Sequence, residues 1–219
     1  MSLIHSSHDD GLLRFELDEV ALQAIDKALG GVRKDTRKVL KAAVNNTAKQ
    51  ARSKLADKTK ETYAVKKGPV TKAMDIKKAT TSNHTATINV TGEQLELKDY
   101  KTRSSPQAGV AAKVLLKGQM KAIQSTRGHK AKAFLVTFSS GHTTIAQRQE
   151  GQTYKRDAAK RKSKYGPHAD ITRIKKLLSN SIPKMVGSQE NVYGVVEPEI
   201  YRRLMENIQK EIQKVLDKR

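Results

Sequence analysis

Three stretches of the chain repeat apolar residues at the three- and four-residue spacing of one helix face. The first, Leu17 to Leu29, ends at Gly30-Gly31, where a helix commonly stops. The second runs from about Val32 to Thr62 and carries an alanine-rich apolar face beside a strongly basic one. The third runs from Pro198 to Lys218. The pattern predicts three helices, and the alanine-rich face predicts that another element packs closely against the second.

The pattern between the second and third helices changes to the alternation of apolar and polar residues typical of strands. Asp75–Thr80 and Thr85–Thr91 predict a hairpin, and Gly109–Leu116, Ala133–Phe138 and Thr143–Arg148 predict further strands. We therefore expect an α+β fold. It has a small antiparallel sheet of four to five strands, packed by the long helix of the N-terminal half and by the C-terminal helix.

The segment before the last helix, Ile182-Pro183-Lys184-Met185-Val186, is predicted to be extended, because proline disfavours the helical conformation of the residue before it. Met185 and Val186 are apolar enough to dock on a neighbouring subunit. The alternative is that the segment is a linker held against its own core.

The length of 219 residues fits one domain, and we expect a single domain over residues 1–219. Residues 1–10 lack the basic and apolar blocks of a signal peptide and are expected to be a disordered or tag-derived start. The chain has no cysteine, which excludes disulfides and thiolate metal sites. It has no apolar run long enough to span a membrane, so no membrane partner is expected.

The net charge of +21 is concentrated in one part of the chain. Between Lys101 and Lys176 there are 18 Lys or Arg residues and only three acids. Residues 150–168 are predicted to form a basic mobile loop, because they combine high charge with few apolar residues. The cations of this loop are candidates for contact with DNA phosphates, and the alternative is a solvated loop. They are Lys155, Arg156, Lys160, Arg161, Lys162 and Lys164.

The usual signatures of catalysis and metal binding are missing from the sequence. The six histidines include no pair four residues apart, and no HExxH, GxSxG or phosphate-loop motif occurs. The acids of the basic region, Glu150, Asp157 and Asp170, are not spaced as a metal-dependent nuclease would need. We therefore predict no enzyme activity, no catalytic residue, no metal and no cofactor.

A series of short motifs, taken in order, identifies a family. They are Ala43-Val44-Asn45-Asn46-Thr47-Ala48, Leu97 to Arg103 with Tyr100 inside, Gly109-Val110, Ala133-Phe134, Gly141-His142, Arg148 and Pro183-Lys184-Met185-Val186-Gly187. The set resembles the minor tail protein Z family, the tail-completion proteins of long-tailed bacteriophages and prophages, over roughly residues 17–217. Two features depart from the family. Ala146-Gln147 stands where a Phe commonly precedes the Arg, and the basic run Tyr154–Lys164 replaces a short link.

The resemblance implies a non-enzymatic virion protein at the head-proximal end of the tail, assembled in the host cytoplasm. Such a protein completes the tail for head–tail joining and helps position the DNA end. The implied partners are further copies of the chain in a ring, with a hexamer suspected, other tail and neck proteins, and the phage DNA end. The subunit interface is assigned to Arg148, Met185 and Val186. Two alternatives stay open: a sequence-independent nucleic-acid-binding protein, and another head–tail connector or tail-tube protein.

Overall fold

The computed structural model describes residues 6–7, 12–15, 19–30, 33–105, 109–123, 132–153, 162, 164, 166–167 and 171–218. Its fold is α+β, as the hydrophobic pattern predicted. The contacts divide the chain into two compact units, where the sequence predicted one domain. The first unit contains residues 1–62, 66–93 and 181–219, and the second contains residues 63–65 and 94–180.

The described residues of the first unit form five helices. They are α1 (Glu19–Ala28), α2 (Arg33–Thr62), α3 (Lys67–Lys72), α4 (Ile182–Val186) and α5 (Tyr193–Leu216). The first two confirm the predicted helices to within two residues at each end. The last helix, α5, begins at Tyr193. The sequence predicted a start five residues later, at Pro198.

The same unit contains a four-stranded antiparallel sheet in the order β1-β2-β4-β3. Its strands are β1 (Ser6–Ser7), β2 (Leu12–Phe15), β3 (Met74–Lys77) and β4 (Ala86–Val90). The hairpin of β3 and β4 confirms the prediction. The pairing of β1 with β2 was not anticipated, because residues 1–10 were expected to be a disordered or tag-derived start.

The core of the first unit lies along α2. Val39, Ala43, Val44 and Leu55 of α2 are all almost completely buried. Helix α5 packs along α2, and α2 also contacts β3 and β4. The sequence predicted that both helices lie on the sheet, but α5 instead uses α2 as its main support. The alanines of α2 explain this arrangement, because small side chains let a second helix approach closely.

The segment that was predicted to be extended is the helix α4, so that prediction is wrong. Pro183 lies in the first turn, where a proline N–H would have no helical partner in any case. The Ser181 hydroxyl accepts a hydrogen bond from the Lys184 N–H and caps the helix.

The second unit consists of strands around a small core. The strands are β5 (Gln94–Glu96), β6 (Lys101–Ser105), β7 (Gly109–Lys113), β8 (Lys121–Ala122), β9 (Phe134–Thr137), β10 (Thr143–Thr153), β11 (Thr172–Lys176) and β12 (Leu178–Ser181). Within the described residues they form three small sheets, β6-β7-β8, β11-β10-β9 and β12-β5, where the sequence predicted one sheet for the whole chain. The core contains Leu97, Val110, Ala112, Ala133 and Ile145.

Candidate functional site

The predicted phosphate-binding loop lies mostly outside the described residues. Of its six cations, Lys162 and Lys164 are described, and both are exposed. Residues 150–153, at the start of the predicted loop, belong to β10. Contact between this loop and DNA therefore stays a prediction.

The side chains of Met185 and Val186 were assigned to a subunit interface, but both are completely buried inside the first unit. Helix α4 contacts α2 and β4, which accounts for this burial. Neither side chain is therefore accessible to a second copy of the chain in this conformation. The alternative, a segment held against its own core, describes what the structure contains.

Arg148, the third residue assigned to the interface, is bound within the second unit. Its guanidinium carbon lies 5.5 Å from the centre of the Phe134 ring, and its Nη1 donates a hydrogen bond to the Thr172 carbonyl oxygen at 3.3 Å. Phe134 pairs with Ala146, two residues before Arg148 on β10. Phe134, on the neighbouring strand β9, thus makes the cation–π contact with Arg148. Ala146 and Gln147, the residues directly before Arg148, have no aromatic ring to do so.

The densest polar cluster in the described chain surrounds Glu96, whose side chain is 16% exposed. The carboxylate lies 2.9 Å from His142 Nε2, 3.1 Å from Lys176 Nζ and 3.3 Å from Lys98 Nζ. Lys98 also donates to the Thr143 carbonyl oxygen at 2.8 Å. One carboxylate thus joins side chains that lie up to 80 residues apart in the sequence.

The backbone around Glu96 fixes its position. Glu96 caps the short 3₁₀ turn Leu97–Asp99, and Asp99 accepts a hydrogen bond from the Glu96 N–H at 3.1 Å in the reciprocal arrangement of a capping box. Thr144 of β10 is completely buried, and its hydroxyl helps to lower the pKa of the Glu96 carboxylate. These contacts hold the turn against β10.

The charged neighbours strongly favour the ionised form of Glu96. Burial alone would raise its pKa, but hydrogen bonds from Thr144, Lys176, His142 and Lys98 outweigh burial and lower the pKa from 4.5 to about 2. Two lysines and a histidine converge on this one carboxylate, an arrangement typical of a structural ion cluster.

Replacing Glu96 with glutamine should destabilise the protein by about 1–2 kcal/mol at neutral pH, allowing for solvent screening. Because the folded-state pKa is lowered, the contribution of Glu96 is complete above the unfolded pKa and is lost as the pH falls towards 2. Urea unfolding at several pH values should show the difference between wild type and variant shrinking from pH 5 downwards, in a window of about pH 5 to 2. Glu93→Gln, at an exposed position, is the matched control and should change stability little. A difference that does not vary with pH would contradict this account.

Several motif residues make contacts that hold the fold together. The Asn45 amide binds both backbone groups of Ala79, at 3.0 and 2.8 Å, and so ties α2 to the segment after β3. Asn207 of α5 donates to the Thr47 hydroxyl of α2 at 2.9 Å. The buried Tyr100 donates its hydroxyl hydrogen to the Asn180 carbonyl oxygen at 3.0 Å.

Gly109 is another motif residue, and both its backbone conformation and its close packing require a glycine. Its φ of +77° is rarely adopted by residues with a side chain, and a Cβ there would lie 2.9 Å from the Ala133 carbonyl oxygen. That oxygen accepts the hydrogen bond from the Val110 N–H at 3.0 Å. The Gly-Val and Ala-Phe motifs therefore meet at one contact.

An open apolar cavity of about 430 Å³ lies in the second unit. Leu97, Val114 and Ile123 line this cavity. Two exposed leucines, Leu115 and Leu178, also line it. Lys121 is the only charged residue among those that line it. The described lining is almost entirely apolar, so the cavity can take an apolar side chain.

Among the described residues, no group of three or more His, Asp or Glu side chains is placed to hold a metal ion. Within the same ranges, the helices lack the combination of length and apolar character that a bilayer-crossing segment needs. Comparison with known proteins gave no matching family model, no similar curated protein and no similar solved structure.

Proposed function

We propose that this protein is a non-enzymatic component of a bacteriophage tail, which completes the head-proximal end of the tail for joining to the head. The observation that supports the proposal is the ordered series of tail protein Z-like motifs from Ala43 to Gly187. Asn45, Thr47, Tyr100 and Gly109 of that series make contacts that hold this fold together.

Complementation of tails that lack the protein tests the proposal. Particles produced from the source prophage without this gene should yield filled heads and separate tails. Adding the purified chain should restore joined, infectious virions, and antibody labelling should place the chain at the head-proximal tail end. If the mutant particles are joined and infectious without the chain, the tail-completion assignment is wrong.

The second part of the proposal concerns the basic run Tyr154–Lys164. When several copies of the chain assemble into a ring, this run forms a basic collar in the tail lumen. Replacing Lys160, Arg161 and Lys162 with serine should leave tails able to assemble and join heads, but should lower infectivity, because these cations no longer hold the phosphates of the DNA end. Plaque titre per virion measures the effect. Serine at the exposed Lys72, Lys77 and Lys78 of the first unit removes the same charge and should have little effect. Fully infectious particles carrying the first triple change would remove the basic run from the mechanism.

A sequence-independent nucleic-acid-binding protein is the second candidate, because the net charge of +21 favours it. A titration with random-sequence duplex DNA at physiological salt separates the two. Tight binding by the isolated chain favours the dedicated binder. Weak binding, together with rescue of tails, favours the tail protein.

A further inference from the structure

The sheet β6-β7-β8 presents a face of unneutralised cations. Val110 and Ala112 of β7 are buried and define the core side of this sheet. Residues of β7 that alternate with them lie on the opposite side, and so do their cross-strand partners. The register pairs Lys101 with Lys113 and Arg103 with Ala111, so these three cations share the outer face.

The pairing of Lys101 with Lys113 is unfavourable as it stands. Two residues directly opposite each other in an antiparallel pair have Cβ atoms about 5 Å apart, and like charges there destabilise the sheet. Arg103 is diagonal to Lys113, roughly 7–8 Å away. Lys101 and Arg103 are both exposed, and Lys113 is half-buried.

No ion pair among the described residues of the second unit relieves this repulsion. None of the ion pairs there involves Lys101, Arg103 or Lys113. Glu96 is occupied by Lys98, His142 and Lys176. Asp99 accepts the hydrogen bond from the Glu96 N–H. A bound anion would therefore remove a repulsion that the fold leaves uncompensated.

The remaining residues of this face indicate which class of anion it can bind. They are small or polar, namely Ser105, Ala111 and Ala122, whereas Gly109 at the end of β7 is covered by Lys132 and Ala133. Such residues let a flat, charged backbone approach closely, but they give no apolar anchor of the kind that protein interfaces use. The described residues of this face include no aromatic side chain on which a base could stack. The face fits phosphates and does not read bases.

We propose that Lys101, Arg103 and Lys113 form a binding site for the phosphate backbone of a nucleic acid. One phosphate lies between the two lysine ammonium groups, and the Arg103 guanidinium binds the next through two parallel hydrogen bonds. This site is separate from the loop of residues 150–168. It deepens the DNA-positioning role within the proposed function, but it is defined on the isolated chain and does not depend on assembly into a tail.

Charge removal on the full-length chain tests the site. The variant Lys101→Gln, Arg103→Gln, Lys113→Gln is titrated with a random-sequence DNA duplex, and with a single strand of the same length, at several salt concentrations. For the duplex, we expect the dissociation constant to rise at least about tenfold at low salt and the salt slope to fall by about three, one for each cation that no longer neutralises a phosphate. Without DNA, the variant should melt at or slightly above the wild-type temperature, because the Lys101–Lys113 repulsion is gone.

The matched control is Lys49→Gln, Lys60→Gln, Lys210→Gln, which removes the same charge from exposed positions of α2 and α5. It should shift the dissociation constant far less and leave the salt slope nearly unchanged. The proposal is overturned if both triple variants behave alike, or if wild type binds neither duplex nor single strand at low salt. It is also overturned if only Lys160→Ser, Arg161→Ser, Lys162→Ser lowers the slope. Failed tail complementation by a chain that still binds DNA would count against the tail assignment alone.

Discussion

Replacing Leu204 with aspartate should lower the free energy of unfolding by about 4 kcal/mol or more, the largest stability effect that we expect in this chain. Leu204 is completely buried on α5, the helix that packs along α2. The variant loses the transfer energy of a leucine and must either bury a carboxylate or open the contact between the helices. Urea unfolding followed by circular dichroism measures the loss. Val44→Asp, at a completely buried position of α2, should act similarly.

Leu216→Asp is the matched control, because it makes the same chemical change on the same helix. Leu216 is 42% exposed at the end of α5. Its substitution should cost well under about 1 kcal/mol, part of it from placing a negative charge at a helix C-terminus. If Leu204→Asp melted within a degree or two of wild type, the packing of α5 on α2 would be wrong.

The elements that could be predicted from the sequence are those whose side chains mark one face over many residues. Helices α1 and α2 repeat the helical period over enough turns to define both ends within two residues. The β3–β4 hairpin alternates apolar and polar residues because one of its faces covers the core. In these elements, the residues that suit the local secondary structure are also the residues that the tertiary packing requires.

The arrangement into two units and several small sheets could not be predicted, because some strands carry almost no hydrophobic signal. Strand β6 (Lys101–Ser105) contains no apolar residue, and β11 (Thr172–Lys176) contains only Ile174. Backbone pairing with β7 and β10, respectively, places them in sheets. Pairing partners are set by tertiary contacts that periodicity does not report.

The Glu96 cluster was missed for a related reason, since the side chains around Glu96 come from three separate parts of the chain. The local signal was the turn itself, in which Glu96 precedes Asp99 at the three-residue spacing of a capping pair. His142 was considered only as part of a motif and as one of six histidines without metal-ligand spacing. Met185 and Val186 were assigned outward because proline suggested an extended segment, although two consecutive apolar residues after a serine cap also suit a buried helical turn.

Replacing Gly194 with alanine should destabilise the protein by about 2 kcal/mol, because a clash worth roughly 3 kcal/mol outweighs the roughly 1 kcal/mol that alanine gains over glycine in a helix. A Cβ at this position would lie 2.3 Å from the Gln189 carbonyl oxygen and 2.7 Å from Gln189 Oε1. The backbone of Gln189 cannot easily retreat. The turn is closed by the hydrogen bond from the Tyr193 N–H to the Ser188 carbonyl oxygen at 2.8 Å, and the Tyr193 side chain is buried.

Gly68→Ala is the control for this change, because Gly68 also lies in a helix but has no atom within 4 Å of its would-be Cβ. There the same substitution should be close to neutral, because the helix-propensity gain of alanine is offset by the restriction that the following Pro69 places on a helical residue with a Cβ. The pair also decides where α5 begins. If the helix started at Pro198, as the hydrophobic period suggests, Gly194 would lie outside it and its replacement would be close to neutral. A clear loss of stability for Gly194→Ala, with none for Gly68→Ala, requires the close approach of the Gln189 backbone that the start at Tyr193 creates.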